Sequence, residues 1–226
     1  MPIAEVFSDP GIRGPLVLTL RVSLVAVPLF LTVGVGLGYL LGRWRSSLAA
    51  ALDFAVSLPM VFPPIATGFG LLLLFGNRGV IGPALRGLFG MEIVFGFPGV
   101  ALAAFVSGLP LMVKPVQAAV GGEISRYTEA ARVLGKSELE IFFQVVLPLV
   151  RKNILAGLFL SWTRSIGEVG VTLMLGGNIV GRTNTVSLEI YNSVFTGDYE
   201  RAAILAGILG LASLAALFTL RRLAVS

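Results

Sequence analysis

The sequence predicts an all-α integral membrane protein with five or six transmembrane helices, and three observations carry that prediction. Apolar residues make up 56% of the 226 residues and charged residues only 13%, against roughly 25% charge in a soluble domain. Such a chain cannot coat itself with polar groups, so its excess apolar surface must face lipid. Its apolar stretches reach the roughly 20 residues a helix needs to cross a bilayer. They also lack the short polar–apolar alternation of a membrane barrel, so helices are the form in which the backbone satisfies its own hydrogen bonds in lipid.

In chain order, span 1 is expected at about Pro15 to Gly42, span 2 at Leu48 to Phe75 and span 3 at Phe95 to Val120. Span 4 is expected at Pro148 to Leu175 and span 5 at Arg201 to Leu220, and a sixth short helix near 184–195 stays open. Span 1 reads as a retained span, because no small-residue cleavage site follows it. Residues 1 to 14 read as a tail or as the remnant of a longer wrapping element. Span 1 carries Gly34, Gly38 and Gly42, and span 5 carries Ala202, Ala206 and Gly210, each at four-residue spacing. Small residues on one face let helix backbones approach closely in lipid; glycine enrichment of membrane helices in general is the alternative. Pro59, Pro63 and Pro64 in span 2 and Pro98, Pro110 and Pro115 in span 3 each remove an amide donor and clash with the preceding turn. The freed carbonyls belong against protein or water. That marks Pro63, Pro64, Thr67, Gly68 and Ser107 as candidates to line a path, with a static kink as the bland alternative. Arg164 and Glu168 sit four apart inside span 4, on one helix face. They read equally as a gate element or as a structural pair. Arg21 lies near the end of span 1 and is expected to snorkel.

The chain has no cysteine and no histidine, which removes disulfides, zinc clusters, thiol chemistry and His-based acid–base chemistry. The net charge of +5 sits at span ends, where it orients a membrane protein rather than binding nucleic acid. One set of connections holds Arg43, Arg45, Lys114, Arg126, Arg132, Lys136, Arg151, Lys152, Arg221 and Arg222; the other holds Arg13, Arg78, Arg86, Arg182 and Arg201. The positive-inside bias puts the 121–147 loop and the C-terminus in the cytoplasm and the N-terminus outside.

That loop is a polar island between apolar spans. Ile124, Tyr127, Ala131 and Leu134 recur at helical spacing, followed by Gly135 as a C-terminal cap. Ser137 and Glu140 form a capping box, after which Leu139, Phe142, Phe143 and Val146 are expected on one apolar face. Surface-lying membrane helices are rich in Lys and Arg. Here Glu123, Glu129, Glu138 and Glu140 nearly balance Arg126, Arg132 and Lys136, which favours docking on a protein over docking on lipid.

Glu129-Ala130-Ala131, three residues, Gly135, nine residues, then Val145-x-Leu147-Pro148 resembles the EAA loop of ABC importer permeases. Pro63-Pro64-Ile65-Ala66-Thr67-Gly68, Leu109 to Lys114 and Gly167-Glu168-Val169-Gly170 resemble oxyanion permeases, those for molybdate above all, with tungstate and sulfate permeases sharing much of this. Val145, where the family often has isoleucine, is a mild departure. The resemblance implies the type I permease fold, as a single membrane domain over 1–226 with its coupling loop at 121–147. It implies a homodimer, two ATP-binding cassette subunits and an extracytoplasmic oxyanion-binding protein in the inner membrane. It also implies that Glu129, Ala130, Ala131 and Gly135 couple to the ATPase. The chain is then no enzyme and holds no cofactor or metal; ATP and Mg belong to the partner. The rivals are an ATP-independent secondary anion transporter, which would show coupling-ion sites or inverted repeats, and an intramembrane enzyme, which would need a carboxylate or Ser–Lys site.

Overall fold

The computed structural model describes residues 9–122 and 124–225, with side chains as far as Arg222. Residues 1–8, in the N-terminal segment, and Glu123, counted above in the loop's charge balance, lie outside the described residues. The described elements are all helical. They are α1 (Pro10–Arg43), α2 (Ser47–Val61), α3 (Pro64–Phe75), α4 (Gly82–Phe89), α5 (Phe97–Gly121), α6 (Ile124–Val133), α7 (Glu138–Ile166), α8 (Gly170–Gly176), α9 (Val186–Thr196) and α10 (Tyr199–Val225). Helices α1, α5, α7 and α10 are long and apolar enough to cross a membrane, and α2 and α3 are shorter apolar helices. The open question of a sixth helix resolves to α9, eleven residues long, whose N-cap Thr185 accepts from the Leu188 amide. Pro10 to Gly14 belong to the first turns of α1.

Two expected spans are broken rather than continuous. Span 2 splits into α2 and α3 at Phe62–Pro63, because Pro63 and Pro64 cannot supply the amides that would carry a helix through. The helix restarts with Pro64 in its first turn, where a missing amide costs nothing. Span 4 ends at Ile166, and the chain turns through Gly167 before α8 begins. The two breaks lie together: a Cβ on Gly170 would come within 2.8 Å of Pro64 Cβ, and one on Gly68 within 2.8 Å of Met174 Cβ. Helix α8 thus folds back onto α3.

The centre of the molecule is α5 gripped by α1 and α7. Gly34, Gly38 and Gly42 face Met112, Val116 and Val120, which repeat at the same four-residue interval. Added Cβ atoms there would stand 2.7 to 2.8 Å from those side chains, so the glycines permit the contact. Gly108 and Gly157 do the same between α5 and α7; the nearest atoms to their would-be Cβ include Ser161 O and Met112 Sδ. Met112, Val116 and Phe30 are fully buried in this core. The second small-residue stripe behaves differently. Ala202 is buried, but Ala206 and Gly210 are exposed, and nothing within the chain would meet a Cβ on Gly210. Helix α10 turns most of its surface outward.

Two fixed points orient the helices. Arg43, at the end of α1, pairs with Glu138 at the start of α7, so both lie at one end with the 121–147 loop. Arg201, at the start of α10, pairs with Asp9 at 3.2 Å, so the start of α1 and the start of α10 share the opposite end.

Gly38→Leu should push α1 off α5 and lower the melting temperature of the detergent-solubilised protein by several degrees, as overpacking costs about 1–3 kcal/mol. Gly36→Ala, where a Cβ meets nothing within 4 Å, should leave it unchanged or raise it. Equal melting of the two variants would show that the contact is not limiting.

Candidate functional site: a tethered loop and a pair of helix breaks

The 121–147 loop is built as two helices meeting at Gly135. Gly135 adopts φ +78, a left-handed conformation that glycine enters without steric cost. The Lys136 amide then reaches back to Ala131 O at 3.1 Å, closing the end of α6 in the manner of a Schellman turn. The capping box forms as expected: Ser137 Oγ accepts from the Glu140 amide, and the Glu140 carboxylate accepts from the Ser137 amide at 2.9 Å.

The loop's inward face differs from the one periodicity predicts. Ile124, Thr128 and Ala131 of α6 and Ile141 and Val146 of α7 are buried, and all but Thr128 join the central core. Tyr127 and Leu134, which share the helical spacing of Ile124 and Ala131, are exposed, and so are Leu139 and Phe143. Two apolar faces exist on these helices, and the tertiary fold covers only one. The uncovered face holds Tyr127, Val133 (88% exposed), Leu134 (81%), Leu139 and Phe143, beside exposed Glu129, Ala130 and Gly135. Ala131 therefore holds the loop to the body, whereas Glu129, Ala130 and Gly135 lie on its surface.

A residue noticed in the sequence only for its charge does the fastening. The Glu138 carboxylate accepts from Arg43 of α1 and from Arg132 Nε of α6 at 2.9 Å. Arg43 also donates to the Tyr39 hydroxyl and stacks 5.0 Å over its ring. Tyr39 in turn meets the Phe142 ring edge-on at 5.0 Å. These contacts lock α1, α6 and α7 into one piece. The Arg43 guanidinium, then Arg132, holds the Glu138 carboxyl well below the ordinary range, at about 2. The Ser137 amide, then its hydroxyl and Lys136, holds Glu140 at about 2. A depressed carboxyl contributes stability above its unfolded pKa and loses it as pH falls through the folded value. Both contacts are therefore intact throughout the neutral range.

Pro63, Pro64, Thr67 and Gly68 lie at the paired helix breaks and Ser107 lies within α5, with unequal access. Pro63 and Pro64 are exposed. Thr67 is half-buried, and its hydroxyl is shielded without a partner. Gly68 is buried against α8, and Ser107 is covered, its hydroxyl also unpartnered. Glu168 is buried; it pairs with half-exposed Arg164 and accepts from the Val171 amide at 2.8 Å. It thereby satisfies an amide of the first turn of α8, which favours the structural side of the earlier alternative. At the far end, the sequence reading also missed that Arg201 collects three carboxylates. Asp9, Glu189 and Asp198 lie within 3.2 to 3.6 Å of it, and Asn184 donates to Glu189 at 2.6 Å. Among the described residues no group of His, Cys, Asp and Glu could hold a metal ion.

Glu138→Gln should loosen the tether without unfolding the body. An ion pair this exposed contributes about 0.2–1 kcal/mol, so amide exchange across 124–146 should rise about two- to fivefold while exchange in α5 stays fixed. Uniform exchange in both segments would deny the tether.

Comparison with known proteins accounts for this arrangement. Residues 34–224 match the family described as the binding-protein-dependent transport system inner membrane component. The chain is 37% identical over 198 residues to the molybdenum transport system permease protein ModB of Escherichia coli K12, covering 88% of this chain and 86% of that one. It is 37% identical to the Azotobacter vinelandii protein of the same name over 90% of each chain. It is 32% identical to the sulfate transport system permease protein CysT of Salmonella typhimurium, over 97% of this chain and 79% of that one. In fold it is similar to a chain of a bacterial alginate ABC transporter solved with an alginate-bound periplasmic protein, at TM-score 0.76 and 16% identity, over 98% of this chain and 82% of that one. A multi-pass helical body with a capped, tethered loop at one end is thus the fold of an ABC transporter's membrane component, and the chain belongs to the family of binding-protein-dependent transport system inner membrane components.

Proposed function

We propose that the chain is the pore subunit of an ATP-driven importer of molybdate. The single observation that carries the reading is the 121–147 loop: an apolar, uncovered face fastened to α1 and α7 through Glu138. An exposed apolar patch on a rigid support marks a protein contact. The fitting partner is an ATPase subunit, which holds the ATP and Mg that this chain does not bind. Two copies form a symmetric dimer with the path on its axis, because one copy has too few spans to enclose one. An extracytoplasmic binding protein delivers the anion at the far end. ATPase closure pushes α6, Glu138 carries the push to α1 and α7, and the helices turn as rigid bodies. The whole of 1–226 acts as one permease domain, with Pro63, Pro64, Thr67 and Ser107 along the path and Arg164 and Glu168 beside it.

Molybdate is favoured by the two ModB relatives at 37% identity. Sulfate is the second reading, favoured by CysT's match to 97% of this chain, and tungstate shares the same tetrahedral shape and charge. ATP hydrolysis by the purified complex, stimulated by binding protein loaded with each anion in turn, ranks the three. Molybdate should give the largest response, and a larger response to sulfate would reassign the substrate.

Docking is tested on the uncovered face. Ala130→Arg or Leu134→Glu should abolish co-purification with the ATPase and cut uptake at least tenfold, while membrane insertion persists. Ala131→Arg should do more, because that side chain points into the core and the loop itself comes away. Retained ATPase binding in both surface variants would remove the loop from the interface.

Orientation is tested by thiol labelling in this cysteine-free chain. Val180→Cys, at an exposed far-end position, should react with an impermeant reagent in intact cells, and Ser137→Cys should not. Asn184, in the same far-end segment, is 3% exposed and unsuitable. The reverse pattern would place the loop outside.

A further inference from the structure

Asp53 of α2 and Lys114 of α5 form an ion pair at 2.7 Å, with 34% and 35% of their side chains exposed. Asp53 stands six residues into α2, and Lys114 stands seven residues before the end of α5. At 1.5 Å per residue, both lie about 10 Å inside the helix ends on the loop side. A charged pair at that depth with a third of its surface uncovered does not face hydrocarbon, where ionisable groups are confined to bundle interiors and aqueous cavities. In the dimer proposed above, such a pair belongs beside the path.

The surroundings are polar in a directed way. Ser107 lies seven residues before Lys114, two turns away on the same face of α5, and its hydroxyl is buried without a partner. The Gln117 carbonyl oxygen, one turn beyond Lys114, is also buried and unpartnered. On α2, Asp53 is followed at one turn by Ser57 and leads toward the break at Pro63. The pair therefore stands where a polar track from the helix breaks would reach the loop end.

We propose that Lys114 and Asp53 form the exit site for the transported tetrahedral oxyanion. An ammonium at this depth, away from bulk water, attracts a doubly charged anion far more strongly than it would in solution. Unopposed, it would hold the anion, and conduction requires that the ion leave as well as enter. Asp53 opposes it. The ammonium has three donors; one is held by Asp53, and the others are available to an arriving oxyanion. The carboxylate then competes for the ammonium and shortens the anion's stay. Lys114 is the ligand, and Asp53 sets the release.

This inference rests on the oxyanion-permease reading, and the test separates the two. The permease–ATPase–binding-protein complex is reconstituted in proteoliposomes that take up labelled molybdate, with unlabelled molybdate loaded on the loop side. Asp53→Asn should make uptake at least tenfold more sensitive to that internal molybdate than in the unaltered complex. Lys114→Gln should slow uptake without the new sensitivity, and the double variant Asp53→Asn/Lys114→Gln should lose it, because the trap is the unopposed lysine. A pair that only braces α2 against α5 predicts equal losses in both single variants and unchanged internal inhibition; that result overturns the proposal. If Asp53→Asn does not assemble with the ATPase, Lys114→Cys decides. Reaction with a small water-soluble thiol reagent from the loop side supports the exit site, and no reaction in any nucleotide state sinks it. An unaltered complex whose ATP hydrolysis ignores molybdate, tungstate and sulfate strikes instead at the substrate reading.

Discussion

Met112, Val116 and Val120 on α5 stand opposite Gly34, Gly38 and Gly42 on α1, both series stepping by four. In lipid the hydrophobic effect gives no drive for two apolar helices to meet, so their association depends on close van der Waals contact. Glycines supply it here by removing the atoms that would hold the backbones apart. Gly108 and Gly157 repeat the arrangement on the α7 side. Everything else is positioned by this three-helix grip. The end of α1 arrives beside the start of α7, which lets Arg43 reach Glu138. The end of α7 arrives beside α3, which lets α8 fold back onto Pro64 and Gly68.

The two ends of the molecule then divide the work. At the loop end, salt bridges, a ring contact and buried Ile141 and Val146 hold the short helix α6 against the start of α7. A helix like α6 would be marginal alone, since those shorter than about 12–15 residues gain little from propensity. In the body, the breaks at Phe62–Pro63 and Gly167–Val169 interrupt two otherwise continuous crossings at adjacent places. The freed backbone groups are held by protein contacts such as Glu168 on the Val171 amide.

Local features carried much of this in the sequence. The capping box at Ser137 and Glu140, the turn at Gly135 and the close-packing glycines of α1 each depend on residues a few positions apart, and each formed where expected. The boundaries of α5 and α10 followed hydropathy closely. Hydropathy did not show the breaks in the second and fourth spans, because Phe62 to Pro64 and Gly167 to Gly170 scarcely change the apolar average. It also did not distinguish the α1 stripe of small residues, which is packed, from the α10 stripe, which is mostly open.

The sequence by itself determined the class of molecule, its helices, its polar loop and the family to which it belongs, because composition, periodicity and short-range spacing are written locally. The tertiary structure alone decided which of two apolar faces the loop turns inward. It put Ala131 and Ile141 under cover and left Leu134 and Leu139 outside. It alone brought Glu138 to Arg43 and Lys114 to Asp53, partners far apart along the chain. An apolar stripe states that a helix has something to bury, and a lone charge states that it needs a partner. Neither states which helix will provide it, since that is fixed by how closely the backbones around α5 can approach.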